Sequence, residues 1–214
     1  MGHLRDRAST RQRILDEGLK MLSESGFGGV TLRALADRVG ISKSGLFAHF
    51  RSKEQVELAI LEMMMDIWIE RVVRPSALAD RGIPRLKSFF TNWLSWPADA
   101  GLLGGCPLTA ALFELDYSTG PIRSEVAKRE TRWRRVIEEL VEQSVETGEF
   151  PENAITGRIA WEVWGIYLSH HVSAHFRHDA EADSLAHTAF NGLIERSRSK
   201  APGNRASAKS SDRF

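Results

Sequence analysis

The stretch TLRALADRVGISKSGLFAHF, Thr31 to Phe50, leaves the chain few folding options. Leu32, Leu35, Ala36 and Val39 recur at helical spacing behind a capping Thr31, which predicts a short helix from Thr31 to Val39. Gly40-Ile41-Ser42 is a tight turn, with glycine where positive φ is needed. A second short helix follows, from Ser42 to about Phe50. Two short helices joined by a three-residue turn form a helix-turn-helix. Ala36 is small where the helices approach, and Ile41 and Leu46 plug the space between them. Ser42, Lys43, Ser44 and Gly45 then face outward at the start of the second helix, the part of such a motif that enters a DNA major groove. Thr31, Arg33, His49 and Lys53 lie around it as candidate phosphate contacts. The bare outline also fits a structural helix pair, so the residues themselves must decide.

The rest of the chain also reads as helix, with little strand-like alternation. A first helix is expected from about Ser9 to Ser25, with Ser9 and Gln12 in capping-box form, Ile14, Leu15, Leu19 and Leu22 on one face, and Gly26 as the stop. Ser52 and Gln55 form a second capping box, opening a long helix to about Arg74 that Pro75 ends. Further helices are expected from about Pro84 to Trp96, from Cys106-Pro107 to Asp116, from Pro121 to Thr147, from Pro151 or shortly after to Phe176, and from Ala182 to Arg198. The fold class is therefore all-α. Residues 1–53 form a three-helix helix-turn-helix domain and residues 54–198 a helical bundle domain. Residues 199–214, without large apolar side chains except the final Phe214, form a disordered basic tail.

Charge divides along the same lines. Residues 1–53 carry ten Lys/Arg against five acids, and residues 54–195 carry thirteen against twenty-two. A basic head on an acidic body suits a polyanion at one end only. Apolar residues at 42% and charged ones at 27% describe a globular chain, and no apolar run approaches the roughly 18–20 residues that cross a bilayer. The basic start of the chain has no apolar stretch behind it, so no secretory signal is expected, and the single Cys106 fits a reducing cytoplasm. Enzyme signatures are missing: there is no Gly-rich phosphate loop, no G-x-S-x-G elbow and no H-E-x-x-H. No catalytic residue, cofactor, metal or membrane partner is expected.

The stretch GGVTLRALADRVGISKSGLFAHFRSKEQV, Gly28 to Val56, resembles the N-terminal domain of TetR-family transcriptional regulators. The family's Leu-Tyr-x-His-Phe-x-x-Lys pattern stands here as Leu46-Phe47-Ala48-His49-Phe50-Arg51-Ser52-Lys53. The resemblance implies DNA-facing roles for Thr31, Ser42, Lys43, Ser44, Gly45, His49 and Lys53, with base contact from Lys43 and Ser44 and phosphate contact from Thr31, His49 and Lys53. Phe47 stands where the family has tyrosine. It keeps an apolar contact to sugar or a thymine methyl and loses the hydroxyl.

For the body, the resemblance implies a homodimer, a small-molecule effector and release from a near-palindromic operator. All six tryptophans lie there, at Trp68, Trp93, Trp96, Trp133, Trp161 and Trp164. Phe89, Trp93, Trp96, Cys106, Phe113, Trp133, Trp164, Tyr167 and His171 are the candidate lining of a pocket for an apolar or aromatic effector; the same aromatics also suit a plain core. Ala160, Val163, Leu168 and Val172 on the penultimate helix, with Ala186, Phe190 and Leu193 on the last, are the candidate dimer interface. His171, His175 and His178 share a helix face at spacing that zinc accepts, though the one nearby acid, Asp179, points away from it. Cys106, at an expected helix start after two glycines, is placed where a thiol pKa can fall, so an alternative is an electrophile- or oxidant-sensing repressor. Repressor and activator both stay open.

Overall fold

The computed structural model describes residues 2–198, with side chains from Ala8 onward, and is helical throughout its regular segments. The expected disordered tail lies outside the described residues. Helix α1 spans Gly2–Gly29. It already runs through Ser9, so Ser9 caps nothing, and Gln12 donates to Asp16 at 2.9 Å instead. Gly26 takes φ 66° and ψ −173°, a kink rather than a stop, after which the helix resumes for three residues. The stripe Ile14, Leu15, Leu19 and Leu22 is buried as its spacing requires.

Helix α2, Leu32–Val39, begins behind Thr31, whose hydroxyl accepts the Ala34 amide at 3.1 Å. Gly40 ends it in the left-handed region at φ 74°, and the Ile41 amide closes back on the Ala36 carbonyl at 3.0 Å. Helix α3 is short, Lys43–Phe47, with Ser42 accepting the Gly45 amide at 3.0 Å. Helix α4, Lys53–Trp68, starts at Ser52, which accepts the Gln55 amide. The Gln55 side chain reaches back to the Arg51 amide, one residue further than a regular capping box.

Two prolines expected to end helices lie inside them. Beyond Trp68 the chain widens into a π turn, Ile69–Val73, and continues as α5, Arg74–Ser76, so Pro75 sits within the helical run. Proline has no N–H to give and its ring crowds the carbonyl four residues back, here that of Arg71; the wider turn absorbs both. Helix α6, Ile83–Asp99, likewise carries Pro97 in its last turn. Helix α7 is Pro107–Glu114 and α8 is Pro121–Glu146. Helix α9 is Thr156–His171, beginning later than Pro151 allowed and running into a second π turn, Val172–Phe176. Helix α10, Ala182–Arg198, packs along α9.

The core of the body lies between α4, α6, α8 and α9, where Trp68, Phe89, Trp93, Trp133 and Tyr167 are all buried. Helix α1 packs on α4 and α7, which fastens the N-terminal helices to the body. Ser23 adds a polar tie to the loop before α7: its hydroxyl donates to the Gly105 carbonyl at 2.9 Å and accepts the Gly104 amide at 3.0 Å. Gly104 leaves no alternative, since a Cβ there would lie 1.8 Å from the Ser23 carbonyl oxygen.

Candidate nucleic-acid interface

Leu35, Ala36 and Val39 of α2 and Leu46 of α3 are buried, and this packing turns the opposite edge of α3 outward. Ser42, Lys43 and Ser44 are exposed there, Gly45 is half-buried, and Phe47 is 40% exposed. The Ser42 and Ser44 hydroxyls lie 2.9 Å apart, and the Lys43 ammonium sits 5.8 Å from the centre of the Phe47 ring. Gly45 has little room for a side chain, since a Cβ would meet the Ser42 hydroxyl at 3.3 Å. Thr31 and Arg33 are exposed on the flank; Arg33 keeps only a 3.9 Å contact to Asp37. His49 is half-buried.

Lys53 is placed differently from its expected role. Its ammonium donates to the Phe27 carbonyl at 2.9 Å and lies 3.3 Å from Glu57. Burial pushes the Glu57 carboxyl up, and Lys53 opposes that shift. Lys53 therefore already serves as an internal tie between α4 and the end of α1. Other cations of the basic head are similarly occupied. Arg13 donates to the Val39 carbonyl at 2.7 Å, and Arg38 bridges Glu17 and Glu24. Lys20 and Arg38 together hold the Glu17 carboxyl below the usual range. Among the described residues the positive surface of the head narrows to Arg33, Lys43, Arg51 and Arg11, the last stacked 5.0 Å over Phe50.

Of the residues expected to line a pocket, Phe89, Trp93, Trp96, Cys106, Trp133, Trp164 and Tyr167 come together, but as a packed core. Trp93 stacks on Tyr167 at 3.8 Å and on Trp164 at 5.4 Å, so the rings fill the space between them. Trp68, left out of that set, belongs to it: it stacks on Trp133 at 5.0 Å. Phe113 faces outward, 58% exposed, because its side of α7 lies away from the body. His171 is half-buried against His175, 5.0 Å between ring centres, and burial with the neighbouring His175 and His170 pushes its pKa down to about 4. Cys106 is fully buried at the start of α7, and desolvation pushes its thiol up rather than down; burial there outweighs the helix start.

The expected dimer face also divides. Ala160, Val163, Ala186, Phe190 and Leu193 are buried within the one chain, where Phe90 stacks on Phe190 at 4.0 Å. Apolar spacing marks buried residues without telling an internal contact from an external one. Leu168 is half-buried and Val172 exposed. The open face of α9 and α10 is instead a groove of about 540 Å³ lined by Trp161, Gly165, Ile166, Leu185 and Ala189. Trp161 is 62% exposed and Leu185 is 56% exposed. Below them His170, itself buried, bonds Asp183 at 2.6 Å.

No helix among the described residues is long and apolar enough to cross a membrane. Residues 14–60 match the model of bacterial regulatory proteins of the tetR family, and residues 82–190 match that of the tetracyclin repressor-like C-terminal domain. The HTH-type transcriptional regulator RutR of Escherichia coli is 37% identical over 62 residues, 29% of this chain. The matched stretch spans 29% of RutR's own length. A TetR transcriptional regulator of Chloroflexus aurantiacus superposes with a TM-score of 0.73 at 23% identity, covering 89% of this chain and 95% of that one. AibR, solved with isovaleryl coenzyme A and operator DNA, superposes with a TM-score of 0.66 at 20% identity, over 87% of this chain and 97% of that one. With the helix-turn-helix at one end and a helical body matched over more than half the chain, this protein belongs to the TetR family of transcriptional regulators.

Proposed function

We propose that the chain binds a near-palindromic operator as a homodimer and releases it when a small molecule enters the aromatic body. The observation that carries this reading is the outward row Ser42, Lys43, Ser44 and Phe47, held by a fully buried Leu46. Lys43 and Ser44 read base edges, Phe47 packs on sugar or a thymine methyl, and Thr31, Arg33 and His49 hold phosphates. Lys53 supports this surface from behind by fixing the Phe27 carbonyl.

The dimer forms through the open α9–α10 groove, with Trp161, Ile166, Leu168, Val172 and Leu185 as contacts. Two copies joined there present two α3 helices to half-sites about 34 Å or somewhat more apart. Residues 1–53 are the reading unit and residues 54–198 the sensing and pairing unit. An effector entering between Trp93, Trp133 and Tyr167 displaces α7, whose Glu114 accepts the Phe27 and Gly28 amides beside the kink of α1.

The test is a footprint of the purified protein on the intergenic DNA upstream of its own gene, in competitor DNA across a salt series. A protected near-palindrome with steep salt dependence supports the reading. Salt-insensitive or sequence-indifferent binding to selected genomic fragments removes it.

A further inference from the structure

The buried aromatic cluster contains an imbalance that packing alone does not explain. Among the described residues, four buried side-chain polar atoms have no hydrogen-bond partner: the indole nitrogens of Trp68, Trp93 and Trp133 and the Thr109 hydroxyl. The three indoles belong to one contact set. Trp68 stacks on Trp133 at 5.0 Å, and Trp93 meets Trp133 edge-on at 5.6 Å. Indole N–H groups are donors only, so all three ask for an acceptor. An N–H over a ring face recovers only part of a bond. Trp96 shows the alternative: its indole finds the Tyr167 hydroxyl at 3.4 Å. Buried orphan donors are rare in native proteins, and three in one cluster are unexpected unless something else supplies the acceptors.

The surroundings define what that something is. Among the described residues, Glu57 and His170 are the charged or ionisable side chains of the buried polar set outside this cluster; Glu57 is paired with Lys53, and His170 touches the cluster at Tyr167, 6.5 Å between ring centres, with its ring nitrogen already bonded to Asp183 at 2.6 Å. An ion entering the cluster would lose its hydration and find no countercharge that is not already partnered. The walls are flat rings, Trp93 lying within 5° of Tyr167 and 18° of Trp164. The helices that carry them are interrupted nearby: a π turn follows directly on Trp68, a second begins at Val172, five residues past Tyr167, and Pro97 follows Trp96. Such interruptions let a helix re-register without losing its whole hydrogen-bond ladder.

We infer that the effector of this protein is a neutral, planar molecule carrying at least two hydrogen-bond acceptors, which intercalates in the aromatic cluster and takes the indole N–H groups of Trp68, Trp93 and Trp133. This rests on the reading of the body as the sensing unit. Binding opens the cluster, and the orphan donors provide selectivity, since a hydrocarbon of the same shape leaves all three unpaired.

Coumarin and naphthalene are suitable probes, because they share a bicyclic outline and only coumarin has acceptor oxygens. Calorimetric titration of the full chain is expected to give about tenfold or tighter binding of coumarin over naphthalene, the yield of one or more buried bonds. Nitrogen-15 spectra of the indole groups in the unmodified protein supply a readout independent of variants. At saturating coumarin, at least two indole N–H resonances should move downfield as they gain acceptors. Trp133→Phe, which keeps a ring and removes an N–H, should lower the coumarin preference and leave naphthalene binding less affected. Equal affinities, no coumarin binding up to its solubility, or unshifted indole resonances would each overturn the inference. None of these readouts uses DNA: coumarin binding without operator release would count against the proposed release mechanism, and the ligand class would stand.

Discussion

The Glu114 carboxylate accepts the Phe27 amide at 2.9 Å, with its second oxygen on the Gly28 amide at 2.8 Å. A body helix thereby holds the point where α1 bends. Gly26 supplies the bend, and a Cβ there would collide with the same carboxylate at 2.4 Å. The other end of α7 begins at Cys106, inside the aromatic core. One eight-residue helix thus joins the aromatic core to the kink of α1.

Glu114→Ala is expected to free both amides. Their hydrogen exchange should accelerate, and stability should fall by about 1 kcal/mol, since the bonds are charge-assisted but near solvent. If α7 transmits the signal, operator affinity in this variant should also respond less to ligand. Unchanged exchange at Phe27 and Gly28 would show that the contact does not restrain the kink.

Two lysines separate reading from support. Lys43→Ala should weaken operator binding by about 1–3 kcal/mol and relax base preference, with an unchanged melting temperature. Lys53→Ala should lower the melting temperature, because it strips Glu57 of its partner and frees the Phe27 carbonyl. Parallel melting curves and footprints decide. Equal melting temperatures with equal losses of binding would return Lys53 to the DNA face.

Acid should destabilise the fold before the carboxylates titrate. The His171 pKa is depressed in the folded state to about 4 from an ordinary value near 6.5. The unfolded chain therefore binds the proton first, and stability present above pH 6.5 is lost as pH falls toward 4. Burial depresses His175 as well, while Asp183 opposes. The loss attached to His171 is on the order of 2–3 kcal/mol at the acid end. Urea denaturation between pH 7 and 4.5 measures it, and His171→Gln should flatten the slope. An unaltered slope would place the titration elsewhere.

Trp161→Asp and Leu185→Arg should yield a folded monomer in sedimentation, since both side chains are exposed in the single chain. Phe190→Ala should instead destabilise the protomer by about 3–5 kcal/mol, a core truncation beneath the stacked Phe90. A dimer surviving both surface changes would move the interface off the α9–α10 groove.

The helix-turn-helix was legible because its signals are local. Thr31, Gly40 and Ser42 each act on backbone within a few residues, and each does in the structure what its chemistry implies. Ser9 and Gln12 have the same form and cap nothing, because the helix had begun upstream. Pro75 did not stop its helix because the π turn before it makes room for the ring, and Pro97 sits in the last turn of α6, two residues before its end. The tie of Lys53 to Phe27, the stack of Phe190 on Phe90 and the burial of Cys106 had no sequence signal, because periodicity shows that a side chain is covered without showing by what. The orphan indoles had no sequence signal, since an unmet donor exists only relative to its surroundings.

The π turn after Trp68 has a bearing on how this protein tolerates change in length. A π turn holds one residue more than the α turn it replaces. Deleting a single residue within Ile69–Val73 would convert it to α geometry and leave the flanking faces, Met64 to Trp68 before it and Ser76 after it, close to their present registers. The same deletion anywhere else in α4 would rotate every later side chain by about 100° and turn Trp68 out of the core. Natural or engineered variants one residue shorter should therefore be accommodated at this turn.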